Sequence, residues 1–190
     1  MKTIIEDQDF KGIDFTITEF IKADYENCNF IDCNLATLPL SDIDFTDCSF
    51  NNCDLGLVKI NQTAFKTVKF NNCNLMGVNF SDCKIFLLAL TFEDCQLNIA
   101  SFYKLKLKGI HFKNCNLKET DFTETDLSNA ILDNCDLTGA IFENTNLQKA
   151  DFRTAFNYSI NPEINSIKKA KFSLTGIMGL LNQYQIEIEL

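Results

Sequence analysis

Cysteine is the most reactive side chain in this sequence, and the 190 residues contain nine of them. Cys28 and Cys33 lie five positions apart in the stretch NCNFIDCNL. Thiols at this density suggest a zinc site, a disulfide framework or a redox centre. The spacing does not match paired zinc ligands, and nine is an odd number, which suits a complete disulfide set poorly. The cysteines therefore call for another explanation.

The other side chains with catalytic potential give little support to an enzyme. His111 is the only histidine, and a Cys–His nucleophilic pair would need a cysteine that reaches it. Cys115 is nearby, but we expect it to face inward while His111 faces solvent. No glycine-rich phosphate-binding motif is present in the sequence. We therefore predict a protein that is not an enzyme, with no cofactor and no metal.

Composition and charge narrow the class of protein further. No apolar run approaches the length of a membrane-spanning helix, so we expect no membrane span. The start of the sequence, MKTIIEDQDF, lacks the apolar core of a secretory signal, which leads us to expect a cytoplasmic protein with reduced thiols. The net charge of −9 argues against direct binding to nucleic acid.

A repeat of five residues organises most of the chain. From Phe10 to Ile85 every fifth residue is large and apolar, and after a slip of two residues the series runs from Phe92 to Phe152. A period of five matches neither an amphipathic helix nor a strand. It predicts short straight sides separated by corners, and four sides would close a square coil of about 20 residues that stacks about 4.8 Å from the next.

The square coil predicts that residues one coil apart lie in one column. All nine cysteines occupy the same place in the repeat, two residues before the large apolar residue. Such a column runs parallel to the axis, so its thiols cannot converge on a tetrahedral zinc ion. We interpret them as small apolar filler in the core. Six of them form a single column: Cys33, Cys53, Cys73, Cys95, Cys115 and Cys135.

The repeat resembles the pentapeptide repeat family, whose loose motif is A(D/N)LXX. The resemblance rests on triplets such as ADF at Ala150–Phe152, TDL at Thr125–Leu127 and CNL at Cys115–Leu117, and it covers residues 10–152. It implies an all-β fold, a right-handed quadrilateral β-helix. We place this domain at residues 1–172, with the slip near 84–91 and a degenerate last coil at 153–172. The slip is either a simple bulge at a corner or a small protrusion used for contact.

The end of the chain changes pattern and predicts a cap. After Ser173, a candidate N-cap, apolar residues recur at helical spacing, and the final QIEIEL alternates like a strand. We predict a short capping helix and a terminal strand at 173–190. They either cap the β-helix alone or also form a homodimer, because the apolar residues of the strand need burial. The cap and dimer residues are Leu174, Ile177, Met178, Leu181, Ile186, Ile188 and Leu190.

Charge is distributed in three zones. Residues 1–54 carry 12 acids and 3 bases, a net of −9, and residues 119–190 carry 11 acids and 5 bases, a net of −6. Residues 55–118 carry 3 acids and 9 bases, a net of +6. This basic belt is either a solvated face that keeps the rod soluble or a functional surface. Its lysines are Lys59, Lys66, Lys69, Lys84, Lys104, Lys106, Lys108, Lys113 and Lys118.

Within the family, the plan is similar to the topoisomerase-binding branch of Qnr-type quinolone-resistance proteins and microcin B17 immunity-type proteins. The stretch INPEIN at Ile160–Asn165 is similar to one in the microcin immunity type. This resemblance implies a dimeric DNA mimic that protects type II topoisomerase, either DNA gyrase or topoisomerase IV, from a quinolone or a toxin. The resemblance implies that the acidic residues nearest the dimer junction form one continuous central stripe of the dimer: Glu119, Asp121, Glu124, Asp126, Asp133, Asp136, Glu143 and Asp151.

Two departures from that branch keep a second function open. The lysine belt interrupts the acidic surface along the rod, and the sequence has no long projecting loop of the kind some resistance proteins need. The alternative is a structural or adaptor module that binds another protein through its flat faces. A continuous acidic face would favour the DNA mimic, and a larger basic or apolar patch would favour the adaptor.

Overall fold

The five-residue period becomes a four-sided, right-handed parallel β-helix in the computed structural model, which describes residues 2–187. One full coil separates residues of the same column, because Phe10 pairs with Phe30, Phe30 with Phe50, and Phe50 with Phe70. The predicted fold class is therefore confirmed. We name the sides by these columns: side A contains Phe10 and Phe112, side B Phe15 and Leu117, side C Phe20 and Phe122, and side D Tyr25 and Leu127.

Regular strands occupy two of the four sides. The four-stranded sheet of side D has the order β1-β3-β5-β7, and the nine-stranded sheet of side A has the order β13-β12-β11-β10-β9-β8-β6-β4-β2. Sides B and C are joined mainly by single parallel bridges, such as Asn34 with Asp54, and side C also has a 3-10 turn at Phe80–Asp82. The strands are β1 Ile4–Glu6, β2 Asp9–Lys11, β3 Asp24–Glu26, β4 Asn29–Ile31, β5 Asp44–Thr46, β6 Ser49–Asn51, β7 Ala64–Lys66, β8 Val68–Asn71, β9 Leu90–Glu93, β10 His111–Lys113, β11 Ile131–Asp133, β12 Asp151–Phe152 and β13 Lys171–Phe172.

Stacked aromatic rings fill the interior. On side A, Phe30 and Phe50 have ring centroids 4.7 Å apart and nearly parallel planes, and Phe92 and Phe112 repeat this arrangement at 5.3 Å. Rings on neighbouring sides meet edge to face, as Phe102 does with Phe112 at 5.7 Å. Both geometries are favourable for aromatic pairs. The core is therefore one continuous column of side chains along the axis.

The small inward position of each repeat also accounts for the cysteines. All nine are buried, and none is in a disulfide bond. Eight of the nine thiols, all except Cys83, lie close to two backbone carbonyl oxygens, as Cys53 Sγ does at 3.3 Å from the oxygens of Phe30 and Asn51. Thr125 uses the same position for a hydroxyl that donates to the Phe102 carbonyl at 2.8 Å. Burial raises the pKa of Cys48 and of Cys83 to about 12, so these thiols stay protonated and serve packing.

Most corners have a left-handed backbone at the second residue after the large apolar one. Asn52 and Asn72 adopt φ values of 54° and 50° there, and the Asn72 amide donates to the Asn52 side-chain oxygen at 3.0 Å. Asn and Asp tolerate this conformation because their short polar side chains bond locally. Ile99 adopts the same left-handed backbone, which a β-branched residue tolerates poorly.

Replacing Ile99 with asparagine is expected to stabilise the protein by about 1 kcal/mol, because the left-handed backbone penalises the isoleucine side chain. Ile99 is exposed, so little apolar burial is lost. Urea denaturation would measure the change in the free energy of unfolding. Ile141→Asn makes the same chemical change at an exposed residue with negative φ, and it should not stabilise. Equal effects at both positions would contradict this explanation.

The slip lies between Lys84 and Leu90. Ala64 is bridged to Lys84, one regular coil later, whereas the partner of Val68 is Leu90, two positions beyond the regular spacing. The sequence register treated Ile85 as an inward-facing residue of side D, and this was wrong, because Ile85 is exposed. Leu88 packs against the core in that region instead. The two extra residues therefore push the chain outward before it returns to side A.

The C-terminal segment forms 3-10 turns rather than the predicted α-helical stripe. Gly176–Leu180 and Asn182–Tyr184 are 3-10 helices, closed by bonds such as Leu181 N–H to the Met178 carbonyl at 2.9 Å. The 3-10 period of three residues disrupts the face expected from a period of 3.6. Ser173 does accept a hydrogen bond at the start of the segment, from the Gly176 N–H at 3.0 Å.

Contact with the last coil comes from residues outside the predicted stripe. Leu180 is buried in the core, and the Ile160 N–H donates to the Gly179 carbonyl at 2.9 Å. Tyr158 and Ile160 are buried in the degenerate coil, and the Tyr158 ring meets the Phe172 ring at 5.8 Å. The segment therefore covers the end of the β-helix. A domain boundary at residue 172 stays a prediction.

Candidate functional site

Four of the eight predicted acidic residues lie on or beside side C. Asp121 is on this side, between Ser101 and Ile141 in the bridge ladder, and Glu143 follows Phe142 one coil later. Glu119 and Glu124 occupy the corners before and after Phe122, both with left-handed backbones. Glu119, Glu124 and Glu143 are exposed, and Asp121 is half-buried. We call these four residues the side-C carboxylates.

The other four predicted acidic residues lie on different sides and do not continue the side-C cluster. Asp126 is on side D, Asp136 is on side B, and Asp133 and Asp151 are on side A. The expectation of one continuous stripe of eight residues is therefore wrong. The reason is the repeat itself, since every step of five residues turns the chain by a quarter of a coil.

Several of the carboxylates outside side C are held by neighbours in the same chain. Hydrogen bonds from Arg153 hold the pKa of Asp151 at about 2. Partial burial of Asp136 opposes ionisation, but hydrogen bonds from Thr138 and Asn157 outweigh it and lower its pKa to about 2. Asp133 accepts from the Thr154 hydroxyl at 2.9 Å. These carboxylates are engaged in hydrogen bonds within the rod, whereas the side-C carboxylates have fewer such bonds and can contact a partner more readily.

The side-C carboxylates make few strong bonds to cations. Among the described residues, the only ion pair of this group joins Glu124 to Lys104 at 3.5 Å, and both side chains are about half exposed. Asp121 accepts from the Thr123 N–H at 2.9 Å, a local turn bond. Exposed, weakly paired carboxylates are the groups that a basic partner surface can recognise.

The predicted cap and dimer residues divide into three groups. Leu174 is 88% exposed and Ile186 56%, and Ile177 and Met178 are 44% and 40% exposed. Leu181 is half-buried. Ile186 lies outside any strand, and Ile188 and Leu190 lie outside the described residues. These exposed apolar side chains all belong to the segment that covers the C-terminal end of the rod, and we call them the apolar patch.

The side chains with catalytic potential, His111 and Cys115, are both at least partly buried. His111 is half-buried rather than solvent-facing as expected, and its Nε2 is shielded without a hydrogen-bond partner. Cys115 is buried in the core. Within residues 2–187, no group of three His, Cys, Asp or Glu side chains is placed to hold a metal ion. Across the same residues, no helix has the length and apolar character needed to cross a membrane.

Sequence reasoning missed two features of the surface. The exposed tip at Ile85, Phe86 and Leu87 was missed because the five-residue register assigns Ile85 to an inward position. The division of the lysine belt was also missed: Lys66 and Lys84 both bind Asp44, and Lys104, Lys113 and Lys118 each pair with one carboxylate. The other four lysines of the belt, Lys59, Lys69, Lys106 and Lys108, have no ion-pair partner among the described residues. Carboxylates about one coil away from a lysine in the sequence could have identified the paired lysines.

Models of the pentapeptide repeat match the chain in two blocks. A model described as a pentapeptide repeat region matches residues 43–117, and one described as pentapeptide repeats, eight copies, matches residues 120–155. Together they span more than half of the 190 residues. A search of curated protein sequences gives no significant match.

Two solved structures align with this chain at low sequence identity. HetL, a pentapeptide repeat protein involved in heterocyst differentiation regulation in the cyanobacterium Nostoc sp. strain PCC 7120, aligns with a TM-score of 0.55 and 13% identity over 92% of this chain and 88% of that chain. A trypsin-treated form of QnrB1, a plasmid-mediated fluoroquinolone resistance protein, aligns with a TM-score of 0.48 and 16% identity over 98% and 100%.

The likeness to HetL concerns the fold, and the repeat models concern the sequence. Both agree with the four-sided coil, the inward columns and the left-handed corners described above. The chain belongs to the pentapeptide repeat family.

Proposed function

We propose that this chain is a non-enzymatic, protein-binding rod that dimerises through its C-terminal end and mimics DNA. Its target in this proposal is the DNA-binding surface of a type II topoisomerase, DNA gyrase or topoisomerase IV, which it would protect from a quinolone or a toxin. The observation that carries the proposal is the nearness of the side-C carboxylates to the exposed apolar patch at the C-terminal end. A cytoplasmic location goes with such a target.

The distance between the two surfaces suits a symmetric dimer. Phe122 lies about two and a half coils before the last strand, which is roughly 12 Å along the axis. If two copies meet through their C-terminal patches, the two sets of side-C carboxylates flank the junction at short range. Regularly spaced carboxylates on a rod can then oppose the basic groove that normally holds DNA phosphates.

The apolar patch supports the dimer because water is an unfavourable environment for it. Leu174, Ile177, Met178 and Ile186 leave apolar surface exposed in the segment at the end of the rod, and Met178 and Ile186 line one shallow pocket. Burying apolar surface contributes about 25 cal/mol per Å². A two-fold contact between identical patches would bury the same side chains in both copies.

A second function is favoured by a different surface. Leu57, Met76 and Ile99 are exposed apolar side chains on three successive coils near the corner between sides B and C. The Leu57 side chain lies over Gly77, where a Cβ would come within 2.6 Å of it. This ridge suits an adaptor that binds a protein through a flat apolar face, without a topoisomerase or a dimer.

A supercoiling assay with purified gyrase and a quinolone tests the main proposal. Wild-type protein is expected to restore supercoiling, and a variant with Glu119→Gln, Asp121→Asn, Glu124→Gln and Glu143→Gln should lose protection while remaining dimeric. A variant with Leu174→Glu, Ile177→Glu and Met178→Glu should sediment as a monomer and protect poorly. Ile17→Glu, at an exposed residue near the other end, is the control.

The outcomes separate the parts of the proposal. A wild-type protein that sediments as a monomer would refute the dimer. Protection that survives the loss of the side-C carboxylates would refute DNA mimicry through side C. No protection of gyrase or of topoisomerase IV by a stable dimer would refute the target and favour the adaptor function.

A further inference from the structure

A groove with an apolar floor runs along the corner between sides D and A, beside the slip. Its volume is about 240 Å³, and its floor includes Leu88, Leu107 and Ile110. Three lysines of the basic belt, Lys69, Lys106 and Lys108, also line it. It lies on the other sides of the rod from the side-C carboxylates. The groove therefore combines apolar surface with clustered positive charge at a place that the proposed topoisomerase contact does not use.

These three lysines differ from most of the belt in their electrostatic environment. Lys66 and Lys84 bind Asp44 at 2.8 Å and 2.7 Å, and Lys113 binds Glu93 at 2.5 Å. Within residues 2–187, by contrast, no carboxylate lies within ion-pair distance of Lys69, Lys106 or Lys108. The rod neutralises several of its lysines elsewhere and leaves these three charges uncompensated around one groove.

The nearest acidic neighbour in the ladder is already engaged. Asp126 is bridged to Lys106 through the backbone, one coil further along the rod. Its Oδ1 accepts hydrogen bonds from the Ser128 N–H and from the Asn146 amide, both at 2.9 Å. The carboxylate moderates the local positive charge but is held away from the Lys106 ammonium.

The slip adds an exposed apolar tip next to this groove. Ile85, Phe86 and Leu87 are 71%, 73% and 62% exposed, and Leu87 has a left-handed backbone with φ 58°. The Phe86 ring therefore packs against little else in this chain. Aromatic side chains of this kind are typical anchors of protein interfaces.

We propose that the tip and the groove together bind an extended segment of a partner protein in which acidic and apolar side chains alternate. The three lysines would receive the acidic side chains, and the apolar floor would receive the side chains between them. Lys106 and Lys108 flank the buried Leu107 in the same short side, so charge and apolar surface alternate in the groove as well. Phe86 would contact the segment from the tip.

The charge of the rest of the rod favours a short protein segment over a larger polyanion. The zones on either side of the belt carry net charges of −9 and −6. A lipid bilayer or a nucleic acid that extended past the groove would meet these zones and be repelled. A short segment touches only the uncompensated lysines and the apolar floor.

Binding of a fluorescent synthetic peptide with alternating Glu and Leu residues tests the proposal. A variant with Lys69→Glu, Lys106→Glu and Lys108→Glu is expected to bind at least about tenfold more weakly, because the attraction becomes repulsion. Lys149→Glu, Lys168→Glu and Lys169→Glu together make the same charge change outside the groove and should change binding less than about twofold. Phe86→Ser should weaken binding without changing thermal unfolding, because the side chain is exposed.

Control ligands identify the chemistry that is recognised. Peptides with Lys in place of Glu, or Ser in place of Leu, should not bind to the wild-type protein. Phosphatidylserine vesicles and a single-stranded oligonucleotide should not bind either. The proposal is overturned if the wild-type protein does not bind the Glu–Leu peptide, if both triple variants bind it equally, or if the vesicles or the oligonucleotide bind at the groove instead.

Discussion

Replacing Phe112 with alanine is expected to lower the free energy of unfolding by about 3–5 kcal/mol, the usual cost of removing a buried phenylalanine. Phe112 is fully buried, and its ring stacks on Phe92 at 5.3 Å and meets Phe102 and Phe122 edge to face. In a stacked repeat, each coil is stabilised chiefly by its two neighbours. The cavity therefore weakens the contacts of one coil with the coils before and after it.

Urea denaturation and amide hydrogen exchange would measure this effect. Phe86→Ala is the matched control, because it makes the same change at an exposed ring. Its free energy of unfolding should differ from that of the wild type by about 0.5 kcal/mol or less, as is usual for surface substitutions. Exchange in Phe112→Ala should accelerate most at β9, β10 and β11, the strands around the cavity. Similar losses for the two variants would contradict the continuous aromatic core.

Gly179→Ala is expected to detach the C-terminal segment from the last coil and to cost about 1–3 kcal/mol, as overpacking usually does. A Cβ on Gly179 would lie 2.2 Å from the Tyr158 carbonyl oxygen, and a backbone atom cannot move aside cheaply. Relief requires the segment to shift. That shift would break the Ile160–Gly179 hydrogen bond and expose Leu180.

Gly56→Ala is the matched control for this substitution. Its Cβ would approach the side-chain ends of Asn74 and Asp54 at 3.1 Å and 3.2 Å, and these ends can rotate away. Hydrogen exchange at the Ile160 amide should accelerate strongly in Gly179→Ala and remain unchanged in Gly56→Ala. Undiminished protection of Ile160 in Gly179→Ala would show that the segment does not depend on this close contact.

The period of five was sufficient to predict the core of the β-helix. It placed Phe30 over Phe10 and Phe50 over Phe30, and it identified the inward position of Cys53 and Cys73. This prediction succeeded because each side chain meets the same kind of neighbour in every coil. The register is therefore defined by many repeats, and one atypical repeat does not change it. The same period also assigns each acidic residue to a side, but this assignment was not applied to Asp126 or Asp136.

The repeat gave no guidance where it was interrupted. At the slip, the sequence alone does not distinguish Ile85 from Leu88 as the residue that returns to the core, since both are large and apolar. At the C-terminal end, the helical spacing of Leu174, Ile177 and Leu181 was read with an α-helical period. The chain instead forms 3-10 turns, because Gly179 approaches the Tyr158 backbone and Leu180 is buried on the last coil.

Because every repeat makes a quarter turn, the number of repeats between two surfaces sets the angle between them about the axis of the rod. Inserting four repeats between Lys108 and Glu119 would lengthen the rod by one layer and keep the lysine groove and the side-C carboxylates in the same angular phase. Inserting a single repeat would move all later residues to the next side and so rotate later surface groups by about 90° relative to the groove. Partners bound at two such surfaces would thus be reoriented by the length of the insertion, while every inward position would still hold a large apolar residue.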